Sequence, residues 1–177
     1  MPSPSCPASP AVILWIDMEN PYAKYLGQRN ALETLAETTG SLESLLASLG
    51  TERAGRAPAP GKWSVREILC HLADCELGFA FRFRQTIAED HYVIQPFDQE
   101  KWATRYAGLD AATALATFSA LRRWNLFFLS GVPADAYGKA VTHPGRGEGT
   151  FQILLETVAG HDLNHLGKIE AILAAGA

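Results

Sequence analysis

Cysteine is scarce in this chain and positive charge is not in excess, and both shortages restrict what it can be. The three cysteines, Cys6, Cys70 and Cys75, are an odd number without CxxC spacing, so neither a disulfide framework nor a zinc ribbon is suggested. A reducing, cytoplasmic setting fits that usage. Lysine and arginine number 15 against 19 acidic residues, for a formal net charge of −4, and the longest basic run is the pair Arg122 and Arg123. No footprint for nucleic acid follows from that balance. Long apolar runs are missing too. The stretch Ala11 to Ile16 is only six residues long with no positive charge before it, too short for a signal-peptide core or a membrane span, so neither export nor membrane insertion is expected.

What is present is one domain's worth of core-forming sequence, 177 residues of which 47% are hydrophobic. The first ten residues carry four prolines and three serines, a composition that cannot bury enough apolar surface to order itself. Residues 1–17 therefore read as a flexible leader and residues 18–177 as a single domain.

Four helices are legible from apolar spacing. Leucines 32, 35, 42, 45, 46 and 49 share one face, with Gly40 as the point where that helix could break. Ser64 and Glu67 form a capping box, with Trp63 and Ile68 placed as a hydrophobic staple, and the stripe Ile68, Leu72, Cys75, Phe79, Phe83 continues to about Ala88. His91 to Lys101 reads as a loop. Asp110 caps a third helix with the stripe Ala114, Phe118, Leu121, Asn125, Phe128, closed by Gly131 and Pro133. After a glycine-rich loop from Pro144 to Gly149, Thr150 caps the last helix, striped by Phe151, Leu154, Val158, His161, His165, Ile169 and Ile172. Four amphipathic helices with no convincing strand predict an all-α four-helix bundle.

Two histidines lie on the buried stripe of that last helix. His161 and His165 are four residues apart, so their rings rise about 6 Å and diverge by about 40°, converging on one spot inside the bundle. An unpartnered ring there would be costly. A third ligand has to come from another helix, and His71, on the inner flank of the second, is the candidate. Three neutral nitrogens leave a coordination position open, the pattern of a catalytic rather than a closed structural site. The competing reading is three core histidines bonded to side chains or water, since five histidines can yield an HxxxH pair by chance. His91 and His143 read as solvated loop residues, and Cys75, one turn after His71, as a small buried hydrophobe, with a further ligand as the lesser alternative for each. The segment His-Asp-Leu-Asn-His approximates the HExxH of zinc peptidases, with Asp162 in the place of the glutamate base.

Lys62-Trp-Ser-Val-Arg-Glu67-Ile-Leu-Cys-His71-Leu-Ala-Asp74-Cys-Glu76, then Arg82, the piece Phe97-Asp98-Gln-Glu-Lys-Trp102, and the closing Gly160-His161-Asp-Leu-Asn-His165 together resemble the DinB/YfiT-like family from about Asn20 to Leu173. The resemblance implies an up-down-down-up four-helix bundle with His71, His161 and His165 as its metal triad and zinc or nickel as the divalent metal; three imidazoles and water suit ferrous iron as well. It also implies kinship with S-transferases and isomerases that activate a low-molecular-weight thiol, small-molecule partners, and compatibility with a homodimer. On that footing Asp74 and Asp162 are candidates to orient ligand imidazoles, and Arg82 and Trp102 are candidates to contact substrate. The alternatives for Arg82 and Trp102 are a snorkelling arginine paired with Asp98 and a core-packing tryptophan. The alternative function is a non-catalytic metal-binding stress-response protein.

Overall fold

The computed structural model describes residues 18–176, so the leader expected over residues 1–17 lies outside the described residues. Four long helices form the bundle: α1 (Ala31–Leu49), α2 (Val65–Ala88), α3 (Ala111–Ser130) and α4 (Phe151–Ala174). Each begins where the sequence supplies an oxygen for the otherwise unbonded first-turn N–H groups. The Asn30 side chain accepts from Leu32 and Glu33, Asp110 from Thr113 and Thr150 from Ile153, while Ser64 and Glu67 make both halves of the capping box. Gly40 does not break α1, which runs unbroken to Leu49 because its leucine face is buried on both sides of the glycine.

Around the bundle α1 packs on α4 and α3, and α2 packs on α3 and α4, so the diagonal pairs are α1 with α2 and α3 with α4. Two of the three successive connections therefore cross a diagonal, unlike a simple up-down-up-down bundle. The topology is the up-down-down-up arrangement.

One difference from the sequence reading matters for the site. Where loops are expected at His91 to Lys101 and Pro144 to Gly149, the chain forms a small sheet in the order β1-β2-β3, with β1 (Tyr92–Val93) parallel to β2 (Ala140–His143) and β2 antiparallel to β3 (Gly147–Thr150). Strands of two to four residues are too short to show an alternating pattern, and β3, Gly-Glu-Gly-Thr, has no apolar residue to alternate. The sheet packs Tyr92 and Val141 onto one end of the core and presents the β2–β3 turn toward α2 and α4.

The core is in two parts. One cluster joins Leu42, Leu46, Leu69, Leu72, Phe118 and Ile169, and the other joins Leu35, Phe79, Phe83, Phe151, Leu155 and Val158. Between Leu69 and Phe79 on α2, and between Ala159 and Ile169 on α4, the buried residues include the polar His71, Glu76, His161, Asp162 and His165. That layer holds the candidate site.

Candidate metal centre

His71, His161 and His165 are 1%, 5% and 4% exposed, and one ligand nitrogen from each lies within 4.8 Å of the other two. The Nε2 atoms of His71 and His161 are 3.0 Å apart, and the three ring centroids are 4.5–5.1 Å from one another. The convergence expected from helical spacing is therefore present in three dimensions.

The electrostatics leave lone pairs available. Burial, with His161 and Lys168 adding to it, pushes His71 down to about 3, and burial followed by His161 and His71 pushes His165 below its ordinary range. Both rings are neutral at neutral pH. His165 Nδ1 is buried without a hydrogen-bond partner, a deficit of about 1–3 kcal/mol that a coordinated cation would remove for the ring as a whole. The Asp162 carboxylate stands 3.5 Å from His161 Nδ1, so the network assigns the ring proton to Nδ1 and turns the Nε2 lone pair toward the cluster.

Asp162 belongs to a network that sequence reasoning missed. Arg122, noted there only as half of the longest basic run, is 2% exposed. Its Nε and Nη2 donate to the two Glu76 oxygens at 2.9 and 2.7 Å, Nη2 also to Asp162 at 2.7 Å, and Nη1 to the Leu35 carbonyl at 2.9 Å. One guanidinium on α3 thus ties together all four helices. Asn125 Nδ2 adds a bond to Glu76 Oε1 at 2.9 Å. Burial alone would raise Asp162, but Arg122 and then His161 overcome it and hold the carboxyl below the usual range. One cation faces two carboxylates, so this layer carries a formal charge of −1 beside the neutral rings of His71 and His165, and an added cation would be attracted. The donor set, the unpartnered nitrogen and the excess charge all fit a divalent metal. The available signal was positional: Glu76 lies four residues after Leu72 and three before Phe79, and Arg122 four after Phe118 and three before Asn125, both on inner faces.

The other expected residues fall in different places. Asp74 does not meet the histidines; its Oδ2 accepts the Tyr106 hydroxyl at 2.7 Å. Trp63 is more than a helix staple, since its ring lies 5.0 Å from His71. Cys75 Sγ is 3.5 Å from His71 Nε2 and 4.0 Å from His161 Nε2, beside the cluster. Burial, then Asp162, pushes its thiol up. Trp102 is stacked on Phe97 at 4.5 Å and so backs a cavity wall rather than lining it. Arg82 does line the cavity and is not paired with Asp98, which caps the turn Gln99–Ala103 and meets Lys101. His91 bonds Thr142 from an exposed position, while His143 sits in β2 at the cavity wall.

That cavity, about 130 Å³, reaches the site past Tyr22, Cys75 and His161. Tyr22 packs edge-on to His161 at 5.2 Å and is let in by Gly160: a Cβ there would stand 2.5 Å from the Tyr22 carbonyl oxygen. No helix among the described residues is long and apolar enough to cross a membrane.

Comparison with known proteins agrees with this architecture. A family model described as the DinB superfamily matches residues 34–169. A candidate metal-dependent hydrolase of Bacillus licheniformis is 33% identical over 135 residues, covering 73% of this chain and 76% of that protein. Another from Oceanobacillus iheyensis is 28% identical over 133 residues, covering 74% and 77%. Among solved structures, YfiT from Bacillus subtilis, described as a probable metal-dependent hydrolase with an unusual four-helix bundle topology, has a TM-score of 0.75 at 20% identity over 81% of this chain and 84% of that one. A mycothiol-dependent maleylpyruvate isomerase has a TM-score of 0.63 at 12% identity over 78% of this chain and 59% of that one.

Proposed function

The chain belongs to the DinB superfamily, and we propose that it is a metal-dependent enzyme in which His71, His161 and His165 hold a divalent cation that activates a low-molecular-weight thiol for transfer to an electrophile. The observation that carries the metal is the mutual approach of the three ring nitrogens to within 4.8 Å beside a network with one carboxylate in excess. Zinc, nickel and ferrous iron all suit three imidazoles, and availability decides among them. A cation bound there supplies positive charge that lowers the pKa of a thiol reaching it, so that the thiolate predominates at neutral pH.

The chain's own residues do the rest. Asp162 fixes the His161 tautomer and is itself fixed by Arg122, so the ring cannot turn its Nε2 away. Trp63 and Tyr22 restrict the rings of His71 and His161. The cavity admits a small molecule to the face formed by Cys75 and His161.

Thiol chemistry is favoured over hydrolysis by what the cavity wall lacks. Among the described residues no carboxylate lines it, Asp162 is engaged by Arg122 and Asp74 by Tyr106, so no carboxylate base is free to take a proton from water. Activating water needs that help more than activating a thiol, whose unperturbed pKa is about 8.5. Hydrolysis is the second reading because the curated relatives are named for it.

The test has two stages. Elemental analysis of the purified protein beside a His161→Ala, His165→Ala variant should find metal only in the first; equal content would overturn the metal assignment. Metal-loaded protein should then conjugate monochlorobimane with at least one of several thiols. Release of p-nitrophenol from ester substrates without conjugation would favour hydrolysis, and tight metal binding with neither activity would favour a non-catalytic metal-binding protein.

A further inference from the structure

The cavity above the histidines carries a charge pattern that metal ligation does not require. Arg82 on α2 and Arg146 in the β2–β3 turn both line it, His143 lies beside them, and among the described residues no aspartate or glutamate forms part of the wall. Arg82 is 9% exposed, with its guanidinium carbon 5.0 Å from the Phe79 ring centroid and 5.3 Å from that of Phe97. Its Nη2 donates to the Gln95 carbonyl at 3.2 Å, and no carboxylate among the described residues pairs with it.

A guanidinium drawn this far from water without an anion is costly. Burial lowers His143 first, and Arg146 and Arg82 lower it further. Burial also lowers Arg82; Tyr92 and Cys75 oppose that shift, and Arg146 adds a smaller contribution in the same direction as burial. Two cations held on one cavity wall without a counter-charge are complementary to a ligand that brings one.

We propose that this cavity binds a small carboxylic acid as its carboxylate. The anion meets the planar N–H fork of Arg82, Arg146 approaches it from the exposed turn, and an apolar body lies along Phe79, Phe97 and Leu154 with its far end toward Cys75 and His161. The cavity volume, about 130 Å³, is close to the roughly 150 Å³ of a cavity that takes benzene, which suits a short chain or one ring. The assignment deepens the proposed function, on which it rests for the reaction though not for the binding. Either reactant could bring the carboxylate, the thiol or the electrophile.

The experiment is an NMR titration of metal-free and zinc-loaded protein with butyrate, its neutral isostere butyramide, and 3-mercaptopropanoate. Metal-free wild type should bind butyrate at least about tenfold more tightly than butyramide, the difference expected of a charge-assisted pair. Arg82→Met should bring the two affinities together, and Arg146→Ala, at an exposed position that does not support the core, should lower butyrate affinity by a few-fold. On zinc-loaded protein, tighter binding of 3-mercaptopropanoate than of butyrate would assign the carboxylate to the thiol, and equal binding would assign it to the electrophile; both support the proposal. Equal binding of butyrate and butyramide to wild type would overturn it, as would an unchanged preference in both variants. Because the first arm uses no metal and no turnover, a carboxylate preference without thiol transfer would fault only the transferase reading. Thiol transfer without the preference would fault only this one.

Discussion

Arg122 gives the sharpest quantitative test of how the polar layer is held. Replacing it with methionine, a side chain of similar reach without charge, leaves Glu76 and Asp162, each 2% exposed, with no cation between them. Breaking a buried pair by removing one partner costs about 3–5 kcal/mol, because the remaining charge is stranded. Here two are stranded, and proton uptake by one of them limits the loss. Since a domain of this kind is stable by roughly 5–15 kcal/mol, Arg122→Met should remove a large fraction of the total, about 3–5 kcal/mol. Urea unfolding of the metal-free protein followed by far-ultraviolet circular dichroism measures this directly, and an unchanged slope with denaturant would show that the unfolded reference is the same. The companion variant Glu76→Gln, Arg122→Met, Asp162→Asn removes all three charges and should be more stable than the single substitution. A loss below about 1 kcal/mol for Arg122→Met, the value of an exposed pair, would refute the reasoning. A triple variant less stable than the single one would show that the hydrogen-bond geometry matters more than the stranded charge.

Three further outcomes follow from the same structure. Added zinc should raise the melting temperature of the wild type but not of the His161→Ala, His165→Ala variant, by the equivalent of about 2.7 kcal/mol when free metal is a hundredfold above its dissociation constant; equal shifts would place the metal elsewhere. Gly160→Ala should destabilise by about 1–3 kcal/mol, because its Cβ would meet Tyr22 backbone at 2.5 Å, whereas Gly40→Ala, with nothing within 4 Å, should stabilise by about 0.5–1 kcal/mol. Thermal unfolding of the two proteins would contradict the packing if both moved the same way. The metal-free protein should also lose stability as pH falls. His71 takes a proton only near 3 when folded but near 6.5 when unfolded, so across that window the unfolded chain binds more protons, and His165 acts in the same sense. A urea midpoint no lower at about pH 5.5 than at about pH 7.5 would argue against neutral buried rings.

The helices were legible because their determinants are local. Ser64 and Glu67, Asp110 and Thr150 cap helices through atoms within three residues, and apolar spacing chose the inner faces. The pair His161 and His165 was legible for the same reason, since four residues along one helix fix the relation of two side chains. His71 needed the assumption that its flank faces α4, and the fold supplies that contact. The small sheet was not legible, because its strands are too short to alternate and β1 gains its partner from a segment some fifty residues away, Tyr92 opposite Val141.

Taken alone, then, the sequence determined four capped amphipathic helices, a bundle, and two histidines directed inward. The tertiary structure decided which residues complete the site. Arg122 and Glu76 look like ordinary charged residues until α2, α3 and α4 bring a guanidinium between two carboxylates and carry the second of these to His161. Arg82 and Arg146 become a pair of cations on one cavity wall only when the β2–β3 turn is laid beside α2. Local spacing fixes the direction of a side chain from its own helix. Its counter-charge, and so its protonation state and its use, is fixed by whatever the fold places within a few ångströms of it, where burial makes each such pairing matter most.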